Sequence, residues 1–192
     1  LMKRAGMTDM PLDGKMTAIK MHFGEPGNLA FLRHQYARTV VDTLKEMGAK
    51  PFLTDCNTLY PGMRRNALDH LDAAYMNGFS PLQTGCHVII ADGLLGTDFV
   101  SVPVNGEYCK QAYIGRAVVD AEAIISLTHF KCHEGTGIGG ALKNLGMGCG
   151  STAGKRDMHC DGKPTVNEEA CVGCGMCVKQ CGSDAITITQ TP

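Results

Sequence analysis

Four cysteines fall within eleven residues near the end of this 192-residue chain: Cys171-Val-Gly-Cys174-Gly-Met-Cys177-Val-Lys-Gln-Cys181. The C-x2-C-x2-C-x3-C spacing asks one tight loop and one helical turn to bring thiols together. It is the run that wraps a [4Fe–4S] cluster in bacterial-type ferredoxins. Gly173 and Gly175 suit the loop, because glycine accepts the positive-φ backbone that it demands. Structural zinc usually takes two separated ligand pairs, and no second pair stands about a dozen residues away. Cysteines two residues apart in a tight loop make strained disulfide partners.

The run departs from the bacterial pattern at its end, where Gly182 replaces the usual proline after Cys181. In two-cluster ferredoxins the fourth cysteine ligates the other cluster. Cys171, Cys174 and Cys177 are therefore expected to hold one cluster, with Cys181 serving a second. No second run exists in these residues, and the chain opens on Leu1 and stops at Pro192. We expect a piece of a longer protein, with one or two [4Fe–4S] clusters in the intact polypeptide. This piece retains a cluster only if the first three thiolates find a fourth ligand; Cys149 and Cys160 are candidates that spacing does not select.

Of ten cysteines, four belong to the run. The other six are irregularly spaced, and unpaired thiols beside an oxygen-labile cluster imply a reducing cytoplasm. A formal charge of −1 gives no electrostatic case for nucleic acid. No apolar run approaches the ~18 residues of a membrane span; the best, His87-Val-Ile-Ile-Ala91, has the length of a buried strand.

Along the chain, strand and helix signals alternate. Met16 to Phe23 alternates apolar and polar residues and predicts a strand. A helix is expected from about Ala30 to Met47, with Phe31, Val40, Val41, Leu44 and Met47 on one side and Gly48 as its cap. Lys50 to Thr54 is a second strand, Arg64 to Asn77 a second helix, and Cys86 to Ala91 a third, fully buried strand. Phe99 to Val104 and Tyr108 to Ile114 predict a hairpin turning at Asn105-Gly106. Ala123 to Thr128 is another buried strand. This rhythm implies an α/β fold: a parallel or mixed sheet covered by helices in Rossmann-like layers, over residues 1–162. A small ferredoxin-type α+β module follows over residues 163–192, with Val166 and Ala185 to Thr189 pairing as a ribbon. Ligands of such sheets sit beyond the strand C-terminal ends, where His22 to Glu25, Asp55 to Asn57 and Asp92-Gly93 fall. Asp55 and Asp92 are candidates for that edge or simple caps of the next element.

A second chemical stretch follows the last strand. Thr128 to Gly148 gathers His129, Lys131, Cys132, His133, Glu134 and Lys143 among many glycines. Gly135 to Gly140 followed by a short Ala141–Leu145 helix outlines a turn that presents N–H groups to an anion. G-x-G-x-x-G and P-loop fingerprints are absent, so no nucleotide is implied. His129 and His133 are four apart, an H-x-x-x-H metal spacing, although the glycines oppose a helix there. His34, His70 and His87 read as surface or core residues without a role.

Taken together, Lys20-Met-His-Phe-Gly-Glu25, Thr128-His-Phe-Lys131, Gly139-Gly-Ala-Leu-Lys-Asn-Leu-Gly-Met-Gly148 and the cysteine run resemble the DUF362 iron–sulfur proteins. The resemblance implies an α/β domain carrying an inserted two-cluster ferredoxin module, and leaves the reaction undefined. The leading functional expectation is a cytoplasmic iron–sulfur redox protein with a redox partner protein. In it, His129, Lys131, His133 and Lys143 bind or protonate a small anionic substrate. The alternatives are an electron-carrier subunit that docks onto another enzyme, and a non-redox metalloenzyme using His129 and His133.

Overall fold

The computed structural model describes residues 1–159, 165–181 and 185–189. Cys160, Lys163 and Gly182, which enter the expectations above, lie outside them. The chain divides into two compact units, Leu1–Met158 and His159–Pro192.

The first unit is built on β1 (Met16–Lys20), β2 (Lys50–Asp55), β3 (Val88–Ile90) and β6 (Ala123–Ser126). They form one parallel sheet in the order β3-β2-β1-β6. The α/β class expected from the strand–helix rhythm is the one observed. The chain leaves β1 toward β2 and β3, then returns to β1's other side with β6. That reversal puts a topological switch between β1 and β6.

Burial follows from this order. β1 has a strand on each side, and Thr17, Ala18, Ile19 and Lys20 are all buried. Its apolar–polar alternation therefore does not separate a wet face from a dry one, as expected for a sheet covered on both faces. Ile19, Leu53 and Ile90 join Ala37, Val41 and Leu44 of α1 (His34–Glu46) in the main core. Phe79 completes it, tilted against Phe23 at 5.4 Å and Phe31 at 6.0 Å between ring centroids. Each such buried side chain contributes about 1.5–3 kcal/mol. Gly48, at φ 79°, follows the end of α1 as expected.

Several boundaries differ for visible reasons. α1 begins four residues later than predicted because Arg33 is extended, with φ −75° and ψ 152°. α2 (Ala67–Met76) begins after Asn66, whose side chain accepts the N–H groups of Leu68 and Asp69. That cap leaves Arg64 in the preceding loop rather than in the helix. β3 and β6 are edge strands and only partly buried, with Ile89 41% and Ile124 40% exposed. α3 (Pro81–Thr84) precedes β3.

β4 (Phe99–Pro103) and β5 (Gln111–Gly115) form the expected hairpin, but not through a two-residue turn. Pro103 pairs with Gln111 and Val104 donates its N–H to the Lys110 carbonyl. Gly106 does not adopt the positive φ that a type I′ turn requires. α4 (Arg116–Asp120) leads into β6. Beyond β6, β7 (Lys131–His133) and β8 (Gly137–Gly139) pair antiparallel, so the glycine run folds as a hairpin arm instead of one open turn. α5 (Ala141–Gly146) and α6 (Thr152–His159) follow.

In the second unit, α7 (Met176–Gln180) starts after Gly175. Gly173 and Gly175 take φ of 63° and 72°, the conformations expected of the cysteine loop. Val166 and Ala185 to Thr189 are not in strands, so the expected ribbon is absent among the described residues. A Cβ at Gly175 would meet Ile188 Cδ1 at 3.6 Å.

Candidate functional site

The parallel strands end in polar residues, and those ends converge on Lys20. It closes β1 with its side chain only 1% exposed, yet all three ammonium hydrogens have acceptors. Nζ lies 3.0 Å from Asp55 Oδ1, 2.8 Å from Asn144 Oδ1 and 3.5 Å from the Met21 carbonyl. Asp55 closes β2 and is equally buried. Burial alone pushes its carboxyl up, but Lys20, then His70, His22 and Arg64, hold it well below the usual carboxylate range.

Asn144 comes from α5 and locks the switch point. Its Nδ2 approaches the Lys20 carbonyl at 3.0 Å, Ser126 Oγ at 3.0 Å and Thr128 Oγ1 at 3.1 Å. One amide thus bridges the ends of β1 and β6. Gly148 makes this approach feasible, since a Cβ there would meet Lys20 Nζ at 2.5 Å and collide with the Asn144 carbonyl. The Gly139–Gly148 segment is a lock on the buried lysine.

On the other side of Asp55 stand Arg64 and His70. Arg64 Nη1 is 3.5 Å from Asp55 Oδ2, while its Nε and Nη2 both reach Glu25 Oε1 at 2.5 Å. His70 is fully buried on α2, 3.8 Å from Asp55 Oδ2 through Nε2. Its Nδ1 is 3.2 Å from Asn57 Oδ1. Asn57 Nδ2 donates to Asp92 Oδ1 and to the Gly93 carbonyl, so its Oδ1 is the acceptor and His70 Nδ1 carries the proton. Burial, with Arg64, lowers His70 to about 4. Asp92 also accepts the Asn57 backbone N–H, and burial pushes it up to about 6. Neither aspartate caps the next helix; both belong to this network. His70 Nε2 and Asp92 Oδ2 have no hydrogen-bond partner among the described residues.

His22 is exposed at the rim. Its Nδ1 accepts the Gly24 N–H at 2.8 Å, which leaves Nε2 as the outward donor. Desolvation and then Arg64 lower its pKa, an effect that solvent partly screens. Cys56, beneath the network, donates to the Cys149 carbonyl at 3.3 Å, and burial raises its thiol out of the reactive range.

Of the residues singled out in the sequence, His129, Lys131 and His133 lie on the arm that follows β6 and Lys143 lies on α5. His129, Lys131 and Lys143 are exposed and His133 is half-buried. His133 Nδ1 accepts the Gly135 and Thr136 N–H groups at 3.2 Å each, so its ring closes the hairpin turn. Cys132 and Glu134 are exposed beside it. Lys20, Arg64, His70 and Asn144 are the site residues that sequence reasoning did not single out. Only the strand-end rule, applied to Lys20, could have found one of them.

Cys171, Cys174 and Cys177 are exposed thiols, and Cys181 is half-buried. Their donor chemistry suits an iron–sulfur cluster. The positive-φ glycines and the Ala185 N–H, 3.4 Å from Cys181 Sγ, fit the same use. Among the described residues, no three His, Cys, Asp or Glu side chains gather at metal-binding distance.

An open parallel α/β sheet with a polar cluster at its C-terminal edge, in a chain that also carries a four-cysteine loop, is the class this fold and site define. The chain belongs to the DUF362 family, a domain of unknown function, whose model matches residues 17–188. It is also 52% identical over 35 residues to an uncharacterized protein, MJ0726, of Methanocaldococcus jannaschii. That stretch covers 18% of this chain and 16% of the relative. No solved structure matches the chain. Among the described residues no helix is long and apolar enough to cross a membrane.

Proposed function

We propose that this chain is a cytoplasmic iron–sulfur redox protein. A [4Fe–4S] module at Cys171, Cys174, Cys177 and Cys181 exchanges electrons between a partner protein and a site on the α/β unit. The observation that carries the reading is the cysteine run with both of its glycines at positive φ. A bound cluster supplies one-electron steps at a potential set by N–H donors and exposure. The α/β unit supplies polar groups: Arg64 above the buried Lys20 and a neutral His22 at the strand ends, with His129, Lys131 and His133 on the arm after β6 and Lys143 on α5. These groups attract a small anionic substrate and offer it protons.

The test is iron and acid-labile sulfide per chain after anaerobic reconstitution, compared with a Cys171→Ser, Cys174→Ser, Cys177→Ser variant. About four of each per cluster in the parent and none in the variant is the expected result. Stoichiometric zinc in place of iron defeats the proposal.

A second reading, an electron-carrier subunit that docks on another enzyme, is favoured by Phe130, Ile138 and Leu142. These are 71%, 62% and 90% exposed on or beside the arm. Small anions retained by the triple-cysteine variant would favour the enzyme reading over the carrier.

A further inference from the structure

Arg64 is held in an unusual way. Its guanidinium is nearly buried, at 11% side-chain exposure, with Asp55 behind it. In front stands Glu25, 36% exposed, on the loop between β1 and α1. Glu25 uses one oxygen for two donors: Oε1 takes both Nε–H and Nη2–H. Oε2 lies on the side of Gly62, where a Cβ would meet it at 3.6 Å. A guanidinium edge is built to pair two parallel N–H groups with two oxygens. Glu25 therefore satisfies the charge of Arg64 and leaves its geometry half used.

Charge bookkeeping sharpens the point. Lys20, Arg64, Asp55 and Glu25 sum to zero when Glu25 is in place. If Glu25 swings outward, the cluster keeps one uncompensated positive charge in a poorly solvated position. An incoming oxyanion offsets that loss, and Glu25 opens a turn, closed by the Asn28 N–H on its carbonyl, in which the space around Gly27 is open. His22 is exposed as well, and with Nδ1 accepting the Gly24 N–H its Nε2 carries the proton.

We propose that the Nε/Nη2 edge of Arg64 is the receptor for a substrate oxyanion, a carboxylate or a phosphate, and that Glu25 is an internal stand-in displaced when the oxyanion binds. The inference rests on the functional reading above and names its substrate class. An incoming group with two suitably spaced oxygens makes the full fork, which Glu25 does not. His22 donates a further hydrogen bond from the rim.

The experiment is calorimetric titration of inorganic phosphate and, separately, oxalate into the purified chain at low salt. The variants are Glu25→Gln, Glu25→Ala, Arg64→Lys and Glu25→Gln with Arg64→Lys, each checked for a native circular dichroism spectrum and melting curve. Removing the internal competitor should tighten binding about tenfold in both Glu25 variants, the scale of one charged hydrogen bond. Arg64→Lys keeps the charge but loses the fork, and should cancel most of that gain in the double variant. A gain with phosphate alone identifies a phosphate ligand, and with oxalate alone a carboxylate. In the parent chain, saturating phosphate should shift the His22 ring resonances. Unchanged affinity in both Glu25 variants overturns the proposal. So does a gain that survives Arg64→Lys, or a still His22. These titrations need no iron, and the triple-cysteine variant should give the same affinities. Failure here is thus separate from failure of the redox reading.

Discussion

The chain holds two groups of reactive side chains in opposite conditions. At the sheet edge, Lys20 and Asp55 are buried and saturated with partners from their own unit. In the cysteine loop, three of four thiols are exposed. The first group is held in place by folding and helps hold the fold. The second is placed by two glycines and a short helix. Buried charge costs stability unless it is fully compensated, whereas exposed thiols cost nothing. Selection for chemistry therefore leaves different traces in the two regions.

The largest effect expected from this contrast is at Asp55. Asp55→Ala would leave Lys20 and Arg64 without their buried counter-charge. Urea denaturation should show a loss of about 3–5 kcal/mol. Gly148→Ala should come next, at about 1–3 kcal/mol, because its methyl group would press on Lys20 Nζ and the Asn144 carbonyl. A Gly148→Ala protein as stable as the parent would mean that the Asn144 lock is slack.

His70 is lowered to about 4, so the folded chain binds fewer protons than the unfolded one between about pH 4 and its ordinary value near 6.5. Its contribution makes stability rise with pH across that window. Asp92 is raised to about 6, so the folded chain binds more protons there than the unfolded one, whose carboxyl titrates near 4. Its contribution makes stability fall as pH rises from about 4 to 6. The two oppose each other across Asn57. Asp92→Asn should therefore steepen the loss of stability on acidification, and His70→Gln should flatten or reverse it. Denaturant midpoints at pH 4.5, 5.5 and 7 would read both slopes. The smallest effect is expected at the thiols: replacing Cys171, Cys174 and Cys177 by serine in iron-free protein should leave the denaturation midpoint of the α/β unit unchanged.

The same contrast explains what was legible in the sequence. The backbone of the cysteine run could be read directly, because it depends on contiguous residues, and Gly173 and Gly175 take the positive φ expected of them. The parallel α/β sheet was legible from the strand–helix rhythm. The sheet-edge cluster was not. Lys20 sits in an alternating strand, and alternation does not reveal that β1 is covered on both faces. His70 has the sequence setting of any helix residue; its role comes from Asn57 and Asp55, thirteen and fifteen positions away. Arg64 was placed in a helix because nothing local announces that the Asn66 side chain takes the N-cap. The Asn105-Gly106 turn failed for a related reason, since strand register placed the pair off-centre in a longer connection. Long-range partnership decided each of these, and single-sequence patterns carry little of it.

The central claim is that the cysteine loop holds a redox-active cluster. Its most direct test is low-temperature EPR of the anaerobically reconstituted chain, before and after dithionite, alongside the triple-cysteine variant. The account predicts a paramagnetic signal that appears on reduction, disappears on reoxidation and is absent from the variant. A chain that binds zinc through the same cysteines and stays EPR-silent in both states would contradict it.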